Sequence, residues 1–337
     1  VVRALLREPG VERVVGVDVE PPPDGLGGGE FVRADIRRPA IAKVLAACTA
    51  DTVVHLNVTG LPLGSAGRGT VKETNVIGTM QLLAACFKAP SVRRLVVKST
   101  TSVYGSAARD PAVFSEDMYA RVLPSGGFAK DAVEVEGYVR AFARRRPDVS
   151  VGLFRFANIL GPTARTPLAE YFALPVLPTV LGFDPRLQFV HADDAVDVLR
   201  LAALDPRRGT QNDGTFNIAG DGVLLLSQAA RRLGRPTFPL LLPAVTLAGM
   251  AIRRSGIGDF SPEQIRLLTH GRVVDTGRMR EVFGHTPAYT TAETFADFAR
   301  GRGPGLLPPR QIDRAAGLLG RVLDGVGAER EQERERE

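Results

Sequence analysis

Along the first 160 residues, short β-branched runs alternate with segments of helical period. "VERVVGVDVE" (11–20) reads as a buried strand that ends in acidic residues, and "FVRADI" (31–36) as a second short strand. "IAKVLAACTA" (41–50) has the apolar spacing of a helix, and "DTVVHLNV" (51–58) reads as a third strand. A long helix over 70–89, a strand over 92–100, a helix over 130–146 and a strand over 149–158 complete the series. "VVRALLREPG" at the start reads as the end of an amphipathic helix closed by Gly10. Regular alternation of this kind predicts an α/β fold, a doubly wound parallel sheet of Rossmann type with helices on both faces.

From Gly161 the pattern loosens and Pro, Leu and aromatic residues become frequent. The reading is therefore three parts: 1–161 a nucleotide-binding domain, 162–300 mainly a smaller substrate domain, and 301–337 a linker and charged tail. Within the second part, 187–219 is expected to return to the sheet as strand, helix and strand. "QIDRAAGLLGRVLDGV" (311–326) is weakly amphipathic, and "AEREQERERE" (328–337) has nothing to bury. "PLLLPAVTLAGMAI" (239–252) is too short and too proline-rich for a membrane span; a core helix is expected, with surface contact to a membrane as the alternative.

Composition changes this picture little. The net charge of +6 comes from arginines scattered over helices and the tail, so no nucleic-acid surface is predicted. Cys48 and Cys86 lie in Ala/Leu-rich helical text without metal spacing, which suggests buried thiols and a reducing, cytoplasmic setting.

"KSTTSVYG" (98–105) makes the chain resemble the extended short-chain dehydrogenases, the NAD-dependent epimerase/dehydratase family that includes UDP-glucose 4-epimerases. Further matches follow in order: Asp18 at a strand end, Asp35-Ile36, "VVHLN", "NVIGT", "RFANILGP", "FVHADDAV", "NIAG" and "VVDTGRMREVFGHTP". The resemblance covers roughly residues 1–300. It implies NAD as cofactor, a nucleotide sugar as small-molecule substrate, and a homodimer through helices 70–89 and 130–146.

It also implies roles for residues. Asp18 would accept hydrogen bonds from the adenosine ribose and repel a 2′-phosphate; the alternative is a solvated strand-end acid. Asp35 and Ile36 would flank the adenine, with a turn-capping Asp as the alternative. Asn75 would hold a neighbouring loop's backbone, or else cap its helix. Thr100 falls at the catalytic Ser/Thr position, and Tyr104 would shape the substrate site. Arg155 and Asn158 fall where the family positions its substrate, though Arg155 suits a structural ion pair equally well. His191, Asp193 and Asp194 are expected to anchor a domain junction, and no metal site is predicted.

Two parts of the family pattern are not met. The Gly-rich phosphate turn is expected upstream of residue 1, since 1–10 reads as the remainder of its helix and "GLGGGE" (25–30) follows the wrong strand. In "GGFAKDAVEVEGY" (126–138), Glu136 fixes the register, so the family's Tyr and Lys positions hold Phe128 and Ala132. Phenylalanine keeps the ring without a hydroxyl, and alanine removes the cation that lowers a tyrosine's pKa. Lys130 cannot substitute, because two residues along a helix turn a side chain by about 200°. Tyr119 sits in a loop, and Glu134 and Glu136 read as surface or junction acids. Activity is therefore open: a family enzyme with a degenerate acid–base site, a non-catalytic NAD- or nucleotide-sugar-binding sensor or subunit, or other isomerase or reductase chemistry on a lipid-like substrate.

Overall fold

The structure, a computed structural model, describes residues 1–60, 68–124, 127–204, 213–244 and 261–302. The predicted weak helix and charged tail lie outside the described residues, as does all of the expected 239–252 helix beyond residue 244.

The alternation seen in the sequence becomes a mixed α/β fold. Its main sheet has four parallel strands in the order β10-β5-β4-β3: β3 (Thr52–His55), β4 (Arg94–Thr100), β5 (Ser150–Phe156) and β10 (Gly214–Ile218). Three helices, α2 (Ala40–Cys48), α3 (Arg68–Lys88) and α4 (Gly127–Arg145), share one apolar cluster with one face of this sheet. Leu95 and Val97 of β4 point into that cluster, and Val96 points into a second one with Phe154 and Phe216. Side chains on a strand alternate sides, so each residue of β4 is assigned to a face by its parity. The second cluster includes Val198 and Ala202 of α6 (Ala192–Leu204) and Met279 of α9 (Gly277–Glu281). Cys86 is buried, and burial pushes its thiol up to about 12; Cys48 is only half-buried.

Two expectations need correction. β1 (Val15–Asp18) and β2 (Glu30–Arg33) pair in parallel but form their own two-stranded sheet. Consequently β1 is half-buried to exposed rather than buried, and Val17 is open to solvent. Of 187–219, only β10 joins the main sheet; β9 (Phe189–His191) pairs instead with β6 (Asn158–Leu160). Of the expected 239–252 helix, the described residues end strand β12 (Thr237–Leu240) and turn helical at 242–244, with Leu241 and Leu242 exposed rather than in a core.

A third apolar cluster sits in the later part of the chain. Phe172 of α5 (Pro167–Ala173) meets Phe295 of α10 (Thr291–Arg300) edge-on at 5.1 Å, and Phe295 stacks on Phe189 at 5.6 Å. Such aromatic pairs each add about 0.5–1.5 kcal/mol beyond area burial. Leu267 and Leu268 of α8 (Pro262–His270) close this cluster. Elsewhere α3 and α4 pack together and leave Ile77, Met80, Phe87 and Tyr138 exposed, on the helices expected to meet a second copy. Among the described residues, no helix is long and apolar enough to cross a membrane.

Candidate active site

Thr100 is the last residue of β4, where extended backbone turns into a one-turn 3-10 helix over Thr101–Tyr104. Its hydroxyl accepts from the Ser102 amide at 3.1 Å and so caps that turn. The turn is held from below by Arg272, a residue the sequence reading did not single out. Its guanidinium donates to Thr101 Oγ1, Ser102 Oγ, Gly105 O and Ser106 Oγ at 2.9–3.3 Å. Burial lowers Arg272 to about 10. Ser106 also lines a cavity of about 220 Å³ with Ala107, Val122, Arg266 and His270. That is below the ~300–1,000 Å³ of usual small-molecule sites.

Behind the strand end lies a buried polar network. Arg155 forms a two-pronged ion pair with Glu136 of α4, at 2.9 and 2.7 Å. Glu136 also accepts from Ser99 at 2.7 Å and Arg140 at 3.0 Å. Arg155 donates onward to Tyr104 Oη at 2.7 Å, and Tyr104 donates to Asn217 Oδ1 at 2.8 Å. Tyr104 is 1% exposed and Arg155 4% exposed. Neither presents a polar atom outward: Arg155 takes up the structural ion pair that was its alternative reading, and together with Tyr104 it braces β4, β5 and α4 from within. Burial raises the Tyr104 phenol above its usual range. Glu136, read as a surface or junction acid, is buried because it lies one helical turn after Ala132 on the same face.

Asn75 lies inside α3, so it is no helix cap. Its amide embraces the backbone of Thr59, accepting from its N–H at 3.1 Å and donating to its C=O at 2.9 Å. The same Nδ2 reaches Asp131 of α4 at 3.2 Å. Asn75 thereby fixes the loop after β3 relative to both helices. The next residue, Gly60, lets the Phe128 ring approach; a Cβ there would sit 3.3 Å from the ring. Phe128 is half-buried in the first turn of α4, and Ala132 is 0% exposed within the apolar cluster. Gly127, just before it, has φ +66° and lies so close to the Glu263 carboxylate that a Cβ would fall 2.5 Å from Oε2. Tyr119 is 74% exposed and stands apart from this buried arrangement.

On the other side of the sheet edge, Asp18 ends β1 as an exposed carboxylate that accepts from the Val19 amide at 2.6 Å. Asp35 is engaged by the Arg37 amide and guanidinium, which hold its carboxyl below the usual range; this is the turn-capping arrangement. Ile36 packs on α3, where a Cβ at Gly78 would fall 2.7 Å from it. The glycine of "NVIGT" is thus required by Ile36. Asn158 is half-buried at the start of β6. His191 stacks on Tyr289 at 3.9 Å, accepts from the Asp193 amide through Nδ1, and so donates from Nε2 to Asp297 at 3.1 Å. Asp194 accepts from the Ala288 and Tyr289 amides. Among the described residues, no group of three or more potential metal ligands gathers.

His55 of β3 is buried beside this site. Thr79 donates to Asn75 O at 2.5 Å, so its oxygen accepts from His55 Nε2 at 2.8 Å. Burial, then the charge of Lys98, pushes His55 from 6.5 to about 4. Because the folded value is the lower one, the unfolded chain takes up the proton first on acidification. The stability is present above pH 6.5 and is lost between there and pH 4. The loss should approach about 3 kcal/mol. Thermal melts from pH 7 to pH 4 should show it, and His55→Gln should flatten that dependence; an identical slope in the variant would refute the assignment.

The fold defines a Rossmann-type α/β protein, a class whose ligands sit at the carboxyl ends of the parallel strands. Residues 1–219 match the NAD dependent epimerase/dehydratase family, and the chain belongs to it. An uncharacterized protein of Mycobacterium tuberculosis (strain ATCC 25618 / H37Rv) is 46% identical over 326 residues, covering 94% of this chain and 85% of that protein. Among solved structures, MoeE5 in complex with UDP-glucuronic acid and NAD is similar with a TM-score of 0.63 and 25% identity, over 86% of this chain and 90% of that one. UDP-glucuronic acid 4-epimerase from Bacillus cereus in complex with NAD is similar in fold, with a TM-score of 0.61 and 17% identity over 89% and 93% of the two chains.

Proposed function

We propose that the protein binds NAD and a nucleotide sugar at the carboxyl edge of its sheets, as a homodimer, with ordinary hydride-transfer epimerisation or dehydration weak or absent. The observation that carries this reading is Phe128 seated on Gly60 in the first turn of α4, with no hydroxyl at the place where the family resemblance puts its proton carrier. Family membership and the nucleotide-sugar and NAD complexes of similar structures support the ligand class. NAD, when bound, supplies acceptance and return of a hydride.

The residues fit that cofactor. Asp18 offers an exposed carboxylate oxygen to ribose hydroxyls at the adenosine end. Ile36 supplies an apolar surface, and Asn75 holds the 58–60 loop in shape. Thr100 stands at the reacting end, where its hydroxyl can donate to a substrate oxygen, and Asn158 offers a side-chain amide to the nucleotide sugar. What the chain does not provide at position 128 is a group that can hold or pass a proton. Calorimetry with NAD on the full-length protein tests the ligand half. Turnover assays with UDP-glucose and UDP-galactose test the catalytic half. Binding without appreciable turnover is expected; failure to bind NAD would sink the cofactor assignment.

A further inference from the structure

We infer that Lys98 supplies at the cofactor site the positive charge that residue 132 does not carry, and that it holds the nicotinamide-side phosphate and ribose of the dinucleotide. The inference rests on the NAD reading above. Lys98 sits near the carboxyl end of β4, a strand flanked on both sides by parallel neighbours. A lysine there has to desolvate its head, and burial lowers its ammonium to about 8. An ammonium carries three donors. One of them goes to Val58 O at 2.8 Å, and among the described residues no carboxylate lies within ion-pair distance. A half-buried cation that spends one donor on Val58 O and has no counter-charge is arranged for an anionic, hydroxyl-rich ligand rather than for the fold alone.

Its position matches. Lys98 and Thr100 are two residues apart on β4 and so share a face. The accepting carbonyl belongs to Val58, the first of three consecutive residues where the rest of the site converges. Thr59 is clasped by Asn75, whose amide reaches Asp131 beside Ala132, and Gly60 carries the Phe128 ring. The charge therefore enters the site from the sheet, on the far side of the loop from α4. Ala132 itself is sealed in the apolar cluster. Asp18, the adenosine-end acid, is on β1 in the other sheet, so Lys98 belongs to the opposite end of the dinucleotide.

The competing role for Lys98 is a staple that only pins the loop to β4. Two variants separate these in the full-length protein, with calorimetric titration by NAD and by AMP. Lys98→Met removes both charge and hydrogen bond. Lys98→Gln keeps a donor for Val58 O and removes only the charge. Both variants are expected to weaken NAD by about 10-fold or more while AMP affinity stays within about two-fold. Wild-type NAD affinity in Lys98→Gln would overturn the inference, as would parallel losses of NAD and AMP. A wild-type protein that binds no NAD would overturn the cofactor reading itself, a result distinct from either.

Discussion

A Phe128→Tyr variant is expected to turn over UDP-glucose or UDP-galactose about 100-fold or more faster than the wild type. General acid–base catalysis by a placed side chain contributes typically ~10²–10⁴-fold. The substitution adds one oxygen to a ring already seated against Gly60 and only half-buried, so little rearrangement is needed. Thr100 caps the 3-10 turn at the end of β4, the strand whose end α4 packs near. Adding Ala132→Lys is expected to give less than family resemblance suggests. Position 132 is fully buried among Val135, Val139 and Leu95, so an ammonium there would be desolvated without a partner. Steady-state kinetics of the single and double variants check both statements. No gain in Phe128→Tyr would show that more than the hydroxyl is missing.

The largest stability effect is expected at Glu136. Glu136→Gln leaves the Arg155 guanidinium, 4% exposed, without a counter-charge, while Ser99 and Arg140 lose an ionised acceptor. Breaking a buried pair from one side typically costs ~3–5 kcal/mol. Arg140→Gln, at the exposed end of the same network, should cost about 1 kcal/mol or less. Urea unfolding of the two variants measures the contrast. Near-equal effects would mean that Arg155 finds another partner. Since Ser99 precedes Thr100, Glu136→Gln should also blur the geometry of the strand end.

The main sheet was legible because β4 and β5 are buried on both faces and read as apolar runs. β1 carries the same kind of run, yet Val17 is exposed; run composition reports the strand and not what covers it. Phe128 and Ala132 were readable from helical register alone, since Glu136 fixed the frame. The same spacing already put Glu136 on the buried face with Ala132, a signal available in the sequence. For Arg155 a structural ion pair was one of two open readings, and its partners were not readable because they come from positions 19 and 51 residues away. Lys98 and Arg272 were missed for a related reason. One looks like a strand residue and the other like a loop residue until the loop at Val58 and the turn at Ser102 are seen against them.

The most direct test of retained binding with a lost proton path is a titration of full-length wild-type protein with NAD, followed by addition of UDP-galactose. The heat of binding and the absorbance of reduced nicotinamide would be followed alongside the sugar product. Saturable NAD binding with product formation near the blank, and product appearing in Phe128→Tyr, is the predicted result. Brisk turnover by the wild type, with Phe128 and Ala132 in place, would contradict it.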